Sequence, residues 1–332
     1  MINGLLLKFS RNLGTRSNNE NLVRWSSQTK PAVGGISFYI LFLISILALS
    51  FFFKQNNFFL NIRSLGIIAA ASLAFLMGLF DDAYNTKVPI KLFAQITCGV
   101  ILIATGTSIH LFNFWPADYV LTMIWVIGLM NSVNMLDNMD GITSIVSMFI
   151  FLAILINAFI FPQLNTPANI LLVGMIASMI GFLFFNWNPA KMYMGDTGSQ
   201  FLGLIIGAAS IIYLWNFQEA SHLTFHSRQA MAAIILLSLP IIDTITVSIK
   251  RIRRGSSPFV GGKDHTTHHL SYLGLSDRQV ALVFAGISLI NLVLTTVILM
   301  IPGWNHWYSL LFGLYFIALF ITLFTIASKN QH

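Results

Sequence analysis

Only eleven Asp and Glu residues occur in 332, and most stand in short clusters that could do chemistry. Asp81 and Asp82 are adjacent and follow the apolar run Leu73 to Phe80, so two carboxylates sit where a helix would leave hydrocarbon. Without a counter-ion such a pair repels, and one member takes up a proton. A hard divalent cation removes that conflict, and Mg²⁺ is typically held by one or two carboxylates together with substrate phosphates; a solvated helix end is the plain alternative. Asn131, Asn134, Asp137 and Asp140 recur every three residues, which lines one face for as long as the helix lasts. A carboxylate deep in a membrane helix costs about 2.5 to 3.5 kcal/mol and is normally functional, whereas an amide such as Asn131 also serves to bond helices together. In Met194-Gly195-Asp196-Thr197-Gly198-Ser199 an Asp stands between glycines that let backbone approach a phosphate, and the helix start beyond offers N–H groups to an anion. Asp196 reads there as a metal ligand or as a helix cap. His265, His268 and His269 share one helical face by their i, i+3, i+4 spacing, behind the basic run Lys250 to Arg254. No Cys lies near them and the carboxylates elsewhere suit a harder ion than zinc, so phosphate binding or general-acid work fits them better.

These clusters need elements that bring them together, and composition says in which solvent. The chain is 56% hydrophobic, 13% aromatic and 9% charged, with a mean hydropathy of +0.77, far outside soluble usage. Ten apolar runs approach the length that crosses roughly 30 Å of hydrocarbon: 36–53, 64–80, 90–107, 119–136, 142–161, 168–185, 200–217, 229–249, 279–301 and 307–327. None alternates with period two as barrel strands do. The expected fold is all-α, a polytopic integral membrane protein of about ten transmembrane helices, read as one catalytic domain over 1–332. Met1 to Phe9 is too short to span and lacks the features of a signal peptide. The single Cys98 lies inside a predicted helix and excludes an internal disulfide. With the N-terminus inside, only Lys54, Arg63 and Arg228 of the 18 Lys and Arg fall on the outer side. That asymmetry is the positive-inside rule, and it accounts for the net charge of +7 without nucleic acid. Both termini are placed in the cytoplasm. Of the eleven acidic residues only Asp118 and Glu219 fall outside; orientation does not require this, so a shared site on the cytoplasmic side is expected.

Taken in order, these segments resemble the polyprenyl-phosphate N-acetylhexosamine-1-phosphate transferase family, which includes the phospho-MurNAc-pentapeptide translocase of peptidoglycan synthesis. Pro31-Ala-Val-Gly34-Gly35 looks like the family's first cytoplasmic loop, and Gly78-Leu-Phe-Asp81-Asp82, with Lys91 and Gln95, like its aspartate-pair motif. Asn131 to Gly141 resembles the second motif, and Asn186-Trp-Asn-Pro189-Ala190-Lys191 through Ser199 the third. Pro240-Ile-Ile-Asp243-Thr244, the basic run, Ser257-Pro258-Phe259 and Asp264 to Leu270 resemble the last cytoplasmic loop. The chain departs from the family in three ways: only Met1 to Phe9 stands where another span is usual, Ser17-Asn18-Asn19 replaces Asp-Pro-Asn, and His269 replaces an Arg common among relatives. The tighter histidine run of the peptidoglycan translocase is absent, so the resemblance favours the bacterial polysaccharide-initiating branch.

The resemblance implies transfer of a sugar 1-phosphate, GlcNAc 1-phosphate in that branch, from a UDP-N-acetylhexosamine to undecaprenyl phosphate, releasing UMP. It implies Mg²⁺ or Mn²⁺ as cofactor, the cytoplasmic face of the bacterial inner membrane as location, and membrane lipid and a second copy of the chain, in a homodimer, as partners. Catalytic roles pass to Asp81, Asp82, Asp137, Asp140, His265 and His268. Substrate binding passes to Lys91, Asn131, Asn134, Asn186, Lys191, Arg251, Arg254 and His269. Asp196 becomes the principal metal ligand, with Asp82 and Asp81 beside it. Transfer of phospho-MurNAc-pentapeptide is the nearest alternative. A cation-coupled transporter is the alternative of another class, but transporters place their carboxylates near the midplane in broken helices, often with internal repeats, and no repeat is visible.

Overall fold

The computed structural model describes residues 1–12, 30–52, 61–112, 114–218, 226–258 and 262–329. Ser17-Asn18-Asn19, Lys54, Glu219 and Phe259 lie outside the described residues. The described elements are the helices α1 (Ile2–Asn12), α2 (Gly34–Phe52), α3 (Ile62–Tyr84), α4 (Val88–Ala104), α5 (Trp115–Leu136), α6 (Ile142–Ile160), α7 (Asn169–Asn186), α8 (Gly195–Ser210), α9 (His226–Leu236), α10 (Ser238–Arg253), α11 (Thr266–Tyr272), α12 (Asp277–Met300) and α13 (His306–Lys329). Eight of the longer helices are long and apolar enough to cross a membrane, or nine if α9 and α10 count as one bent span; α4 is a shorter apolar helix. The protein is an all-α, multi-pass membrane protein, and each of the ten apolar runs is helical over most of its described residues.

Local chemistry explains several boundaries. α4 and α5 begin with Pro in their first turn, where its missing N–H costs nothing. α12 begins with a reciprocal capping box between Ser276 and Gln279. The run 229–249 was expected as one helix, but the structure divides it into α9 and α10, bent by 73°. Pro240 explains the break, since its ring cannot donate to the carbonyl of residue 236 and clashes with it. At the break the Ser238 hydroxyl accepts from Asn291 Nδ2 at 2.9 Å, and Asn291 accepts from Tyr315 at 2.8 Å.

α8 is the axis of the molecule. Together with the π-helical turn Ile211–Trp215 that continues it, its apolar stretch is 94% buried, against 17% for α13, which therefore belongs to the lipid-facing rim. α8 packs against α3, α5 and α2, and glycines let the backbones touch. A Cβ on Gly35 of α2 would overlap the backbone of Gly198, and one on Gly203 would stand 2.6 Å from Met130 Cα. The connections sort to two ends. At one, Gln163 bonds Gln218 O and Asn216 bonds Ser108 O; at the other lie the polar clusters.

Candidate active site

The segment before α2 runs beside the one before α8: Tyr193 N donates to Pro31 O, and the N–H groups of Gly34 and Gly35 donate to Tyr193 O and Met194 O, at 2.9–3.0 Å. This pins the start of α8. Gly195 has φ +71°, and a Cβ there would meet Asp82 Oδ2 at 2.5 Å, so glycine is needed for both conformation and space. Asp82 uses that space. Its Oδ1 accepts from Asp196 N at 2.9 Å and its Oδ2 from Thr197 N at 2.9 Å and Thr197 Oγ1 at 2.6 Å. A carboxylate from α3 thus caps α8, matching the positive end of the helix dipole. Two expectations change. Asp196 does not cap its own helix, and its N–H and that of Thr197 are held by Asp82 instead of standing open to a substrate anion.

Asp196, in the first turn of α8, presents its carboxylate to two donors: Asn134 Nδ2 at 2.7 Å from Oδ1 and Lys91 Nζ at 3.2 Å from Oδ2. Asn134 also donates to Ser199 Oγ at 2.8 Å. Lys91 bonds Asp81 as well, so one ammonium spans two carboxylates from α3 and α8. Asp81 is held from behind by Thr86, whose N–H and hydroxyl lie 2.7 and 2.6 Å from its Oδ1. Asp137 follows α5 as its C-cap. Burial, then the negative charges of Asp196, Asp82 and Asp140, push its carboxyl up to about 8, so it carries a proton at neutral pH. Asp81, Asp82, Lys91, Asn134, Asp137 and Asp196 are therefore brought together.

Other expected residues take up supporting positions. Asn186 is buried; its Oδ1 accepts from Gly141 N and Ser144 Oγ, and its Nδ2 donates to Met192 O. It ties the α7–α8 connection to the start of α6. Asp140 accepts from Ala190 N at 2.8 Å and Asn188 Nδ2 at 3.2 Å, with Lys30 Nζ at 3.9 Å. Asn131 lies one turn below Asn134 and bonds Gln95. Lys191 is exposed on the α7–α8 connection.

The histidines do not share one helical face as expected, because α11 begins only at Thr266. His265 is its N-cap residue. Asp243 of α10 accepts from Thr266 N and Oγ1 and lies 2.8 Å from His265 Nδ1, so it caps α11 and orients His265 through one carboxylate. Thr267 Oγ1 donates to Asn138 Oδ1, and His268 Nε2 lies 3.4 Å from Asn138 O, which docks this helix beside Asp137. Burial and the neighbouring His265 lower His268 to about 4; it is neutral at neutral pH and offers an N–H, not a charge. His269 faces away, with Nε2 2.6 Å from Lys250 Nζ, and burial and Lys250 likewise lower it to about 4. Arg251 is committed to Asp264 through two hydrogen bonds of 3.0 and 2.7 Å and to Pro258 O. Burial works against the Asp264 charge, but those bonds hold its carboxyl below the usual range. Arg254 is exposed. Asp243, to which the sequence assigned no role, is the notable addition; its signal was an Asp inside an apolar helix.

The chain matches the family model described as Glycosyl transferase family 4 over residues 64–214, a stretch that holds Asp81, Asp82, Asp137 and Asp196. It is 29% identical over 303 residues to a Bacillus subtilis (strain 168) protein named "Probable undecaprenyl-phosphate N-acetylglucosaminyl 1-phosphate transferase", covering 88% of this chain and 79% of that one. It is 27% identical over 263 residues to the undecaprenyl-phosphate alpha-N-acetylglucosaminyl 1-phosphate transferase of Escherichia coli (strain K12), covering 75% and 67%. It is 25% identical over 308 residues to the decaprenyl-phosphate N-acetylglucosaminephosphotransferase of Mycolicibacterium smegmatis, covering 83% and 74%. A multi-pass helical bundle with carboxylates gathered at one end, together with these matches, defines a membrane glycosyl-1-phosphate transferase. The family match and these relatives support the resemblance to the polyprenyl-phosphate N-acetylhexosamine-1-phosphate transferases that the motifs carry.

Proposed function

We propose that the chain transfers GlcNAc 1-phosphate from UDP-GlcNAc to undecaprenyl phosphate, releasing UMP and forming the lipid-linked first sugar of a cell-envelope polysaccharide. The observation that carries the proposal is the row Asp81–Lys91–Asp196 at the ends of α3, α4 and α8. Donor and acceptor are both anionic, one soluble and one held by its tail in lipid, and charged side chains at the edge of a membrane bundle are where the two can meet. The names of the relatives from Bacillus subtilis and Escherichia coli support the sugar and the lipid. The asymmetry of Lys and Arg supports a cytoplasmic face and cytoplasmic termini at a bacterial inner membrane.

In the reaction, an oxygen of the lipid phosphate attacks the β-phosphorus of the donor. The bond from that phosphorus to the bridging oxygen breaks, and UMP leaves with the electron pair. Such transfers ask the protein chiefly for position and charge. Lys91 offers an ammonium to the phosphates, Asp82 fixes the first turn of α8, and Asn134 orients Asp196. Asp243 holds His265 by Nδ1, leaving Nε2 as the nitrogen through which that ring can act. The residues also fit a divalent cation. Asp196 and Asp81 already converge on one positive charge, and their oxygens suit Mg²⁺ or Mn²⁺. Among the described residues no three His, Cys, Asp or Glu converge as a ready ligand set, which suits an ion completed by substrate phosphates and water. Bound there, it supplies charge neutralisation of the diphosphate. Mass spectrometry of lipid extracted after incubation with UDP-GlcNAc, undecaprenyl phosphate and Mg²⁺ tests the proposal. The expected product is the lipid diphosphate of GlcNAc; product only with UDP-MurNAc-pentapeptide would move the protein to the peptidoglycan branch.

A further inference from the structure

Beneath the charged row lies a second layer of neutral amides, built from the same three helices. On α4, Lys91 and Gln95 are one turn apart; on α8, Asp196 and Gln200; on α5, Asn134 and Asn131. The upper layer joins Lys91 and Asn134 to Asp196 at 3.2 and 2.7 Å. The lower layer joins the same helices through α4 instead of α8: Gln95 Nε2 donates to Gln200 Oε1 at 3.1 Å and to Asn131 Oδ1 at 3.2 Å, and Asn131 Nδ2 returns a bond to Gln95 Oε1 at 2.9 Å. Gln95 and Gln200 are each 2% exposed. Amides left unpaired at that depth would be costly, so each bond is made at one axial offset of the helices and lost if α4 slides along α8.

We infer that Gln95, Asn131 and Gln200 form an amide clasp that fixes the axial register of α4 against both α8 and α5, and thereby holds Lys91 at Asp196 beside Asn134. They are positioning residues, acting on the reaction only through the layer above them. For Asn131 this replaces direct binding of substrate. The inference rests on the proposed reading of Asp196 and Lys91 as the site of transfer, and its test therefore includes a measurement that needs no activity. Cys98, the single cysteine, lies on α4 one turn beyond Gln95, buried against α3 with its Sγ 3.5 Å from Ala70 O, so its alkylation reports how α4 is seated.

Gln95→Met and Gln200→Met break the clasp from opposite helices at similar volume. In purified protein, both variants should let the membrane-permeant reagent N-ethylmaleimide alkylate Cys98 at least about fivefold faster, as local opening becomes easier. Both should lower kcat about 10- to 100-fold, the scale of an ångström of misplacement, with KM for UDP-GlcNAc within about twofold. Should either variant aggregate, Gln200→Asn, which shortens one arm by a methylene and keeps the amide, gives the same two readings. An unchanged alkylation rate overturns the clasp whatever the activity. Faster alkylation with the whole loss in KM, or with no loss, overturns its link to Lys91 and Asp196. If the unmodified chain releases no UMP from UDP-GlcNAc and undecaprenyl phosphate, the proposed reaction and the link fall, while alkylation still decides whether the amides set the register.

Discussion

Asp137 illustrates how much of this site is decided by charge crowding. Its carboxyl, pushed up to about 8 by burial and by Asp196, Asp82 and Asp140, keeps its proton at neutral pH. A divalent cation arriving among these groups favours the ionised form and expels that proton. Cation affinity should therefore rise with pH up to about 8 and flatten above it, as the proton ceases to compete. Calorimetric titration with Mg²⁺ in buffers of different ionisation enthalpy should report about one proton released per ion near neutral pH, falling toward none near pH 9. Asp137→Asn should lower the number of protons released, and a release unchanged by that substitution would exclude Asp137 from the cation's surroundings. That these carboxylates gather at one end of the bundle was legible in the sequence, because a charge in a membrane helix is costly unless it is placed among polar partners. Their partners were not. Asp82 and Thr197 are 115 positions apart, and no spacing rule connects them.

Among elements, α8 and α11 share one device, a carboxylate from another helix bonded to the first N–H groups: Asp82 for α8 and Asp243 for α11. Cap removal costs about 0.5–2 kcal/mol. Asp82→Ala should lower the melting temperature and speed hydrogen exchange at the Asp196 and Thr197 amides, while Asp82→Asn, which keeps an acceptor, should do less of both. Unchanged exchange at those amides would deny the capping role. Helix existence was readable from apolar runs, and so was the glycine-rich start of α8. The bend between α9 and α10 was foreshadowed by Pro240 but hidden by unbroken hydropathy on either side. The histidine face failed because spacing alone does not say where a short helix begins. α11 starts after His265, where Asp243 caps it.

For the whole molecule, the sorting of loops to two ends yields a topological prediction. Single cysteines at the exposed positions Lys87, Lys191 and Lys263, in a Cys98→Ala background, should react with impermeant reagents only from the cytoplasmic side, and those at His110 and Asn165 only from the opposite side. Labelling of Lys87 and Lys191 positions from different sides would break the shared face. The account as a whole stands on acceptor-dependent chemistry at Asp196, and one assay addresses it directly: UMP release by purified protein from UDP-GlcNAc and Mg²⁺, with and without undecaprenyl phosphate, in the unmodified chain and in Asp196→Asn. The expected result is release that requires the lipid phosphate and falls by about 10² to 10⁴ in the variant, as removing a charge-stabilising carboxylate at constant volume implies. Release that ignores the lipid phosphate, or a well-folded Asp196→Asn that turns over at the unmodified rate, would contradict it.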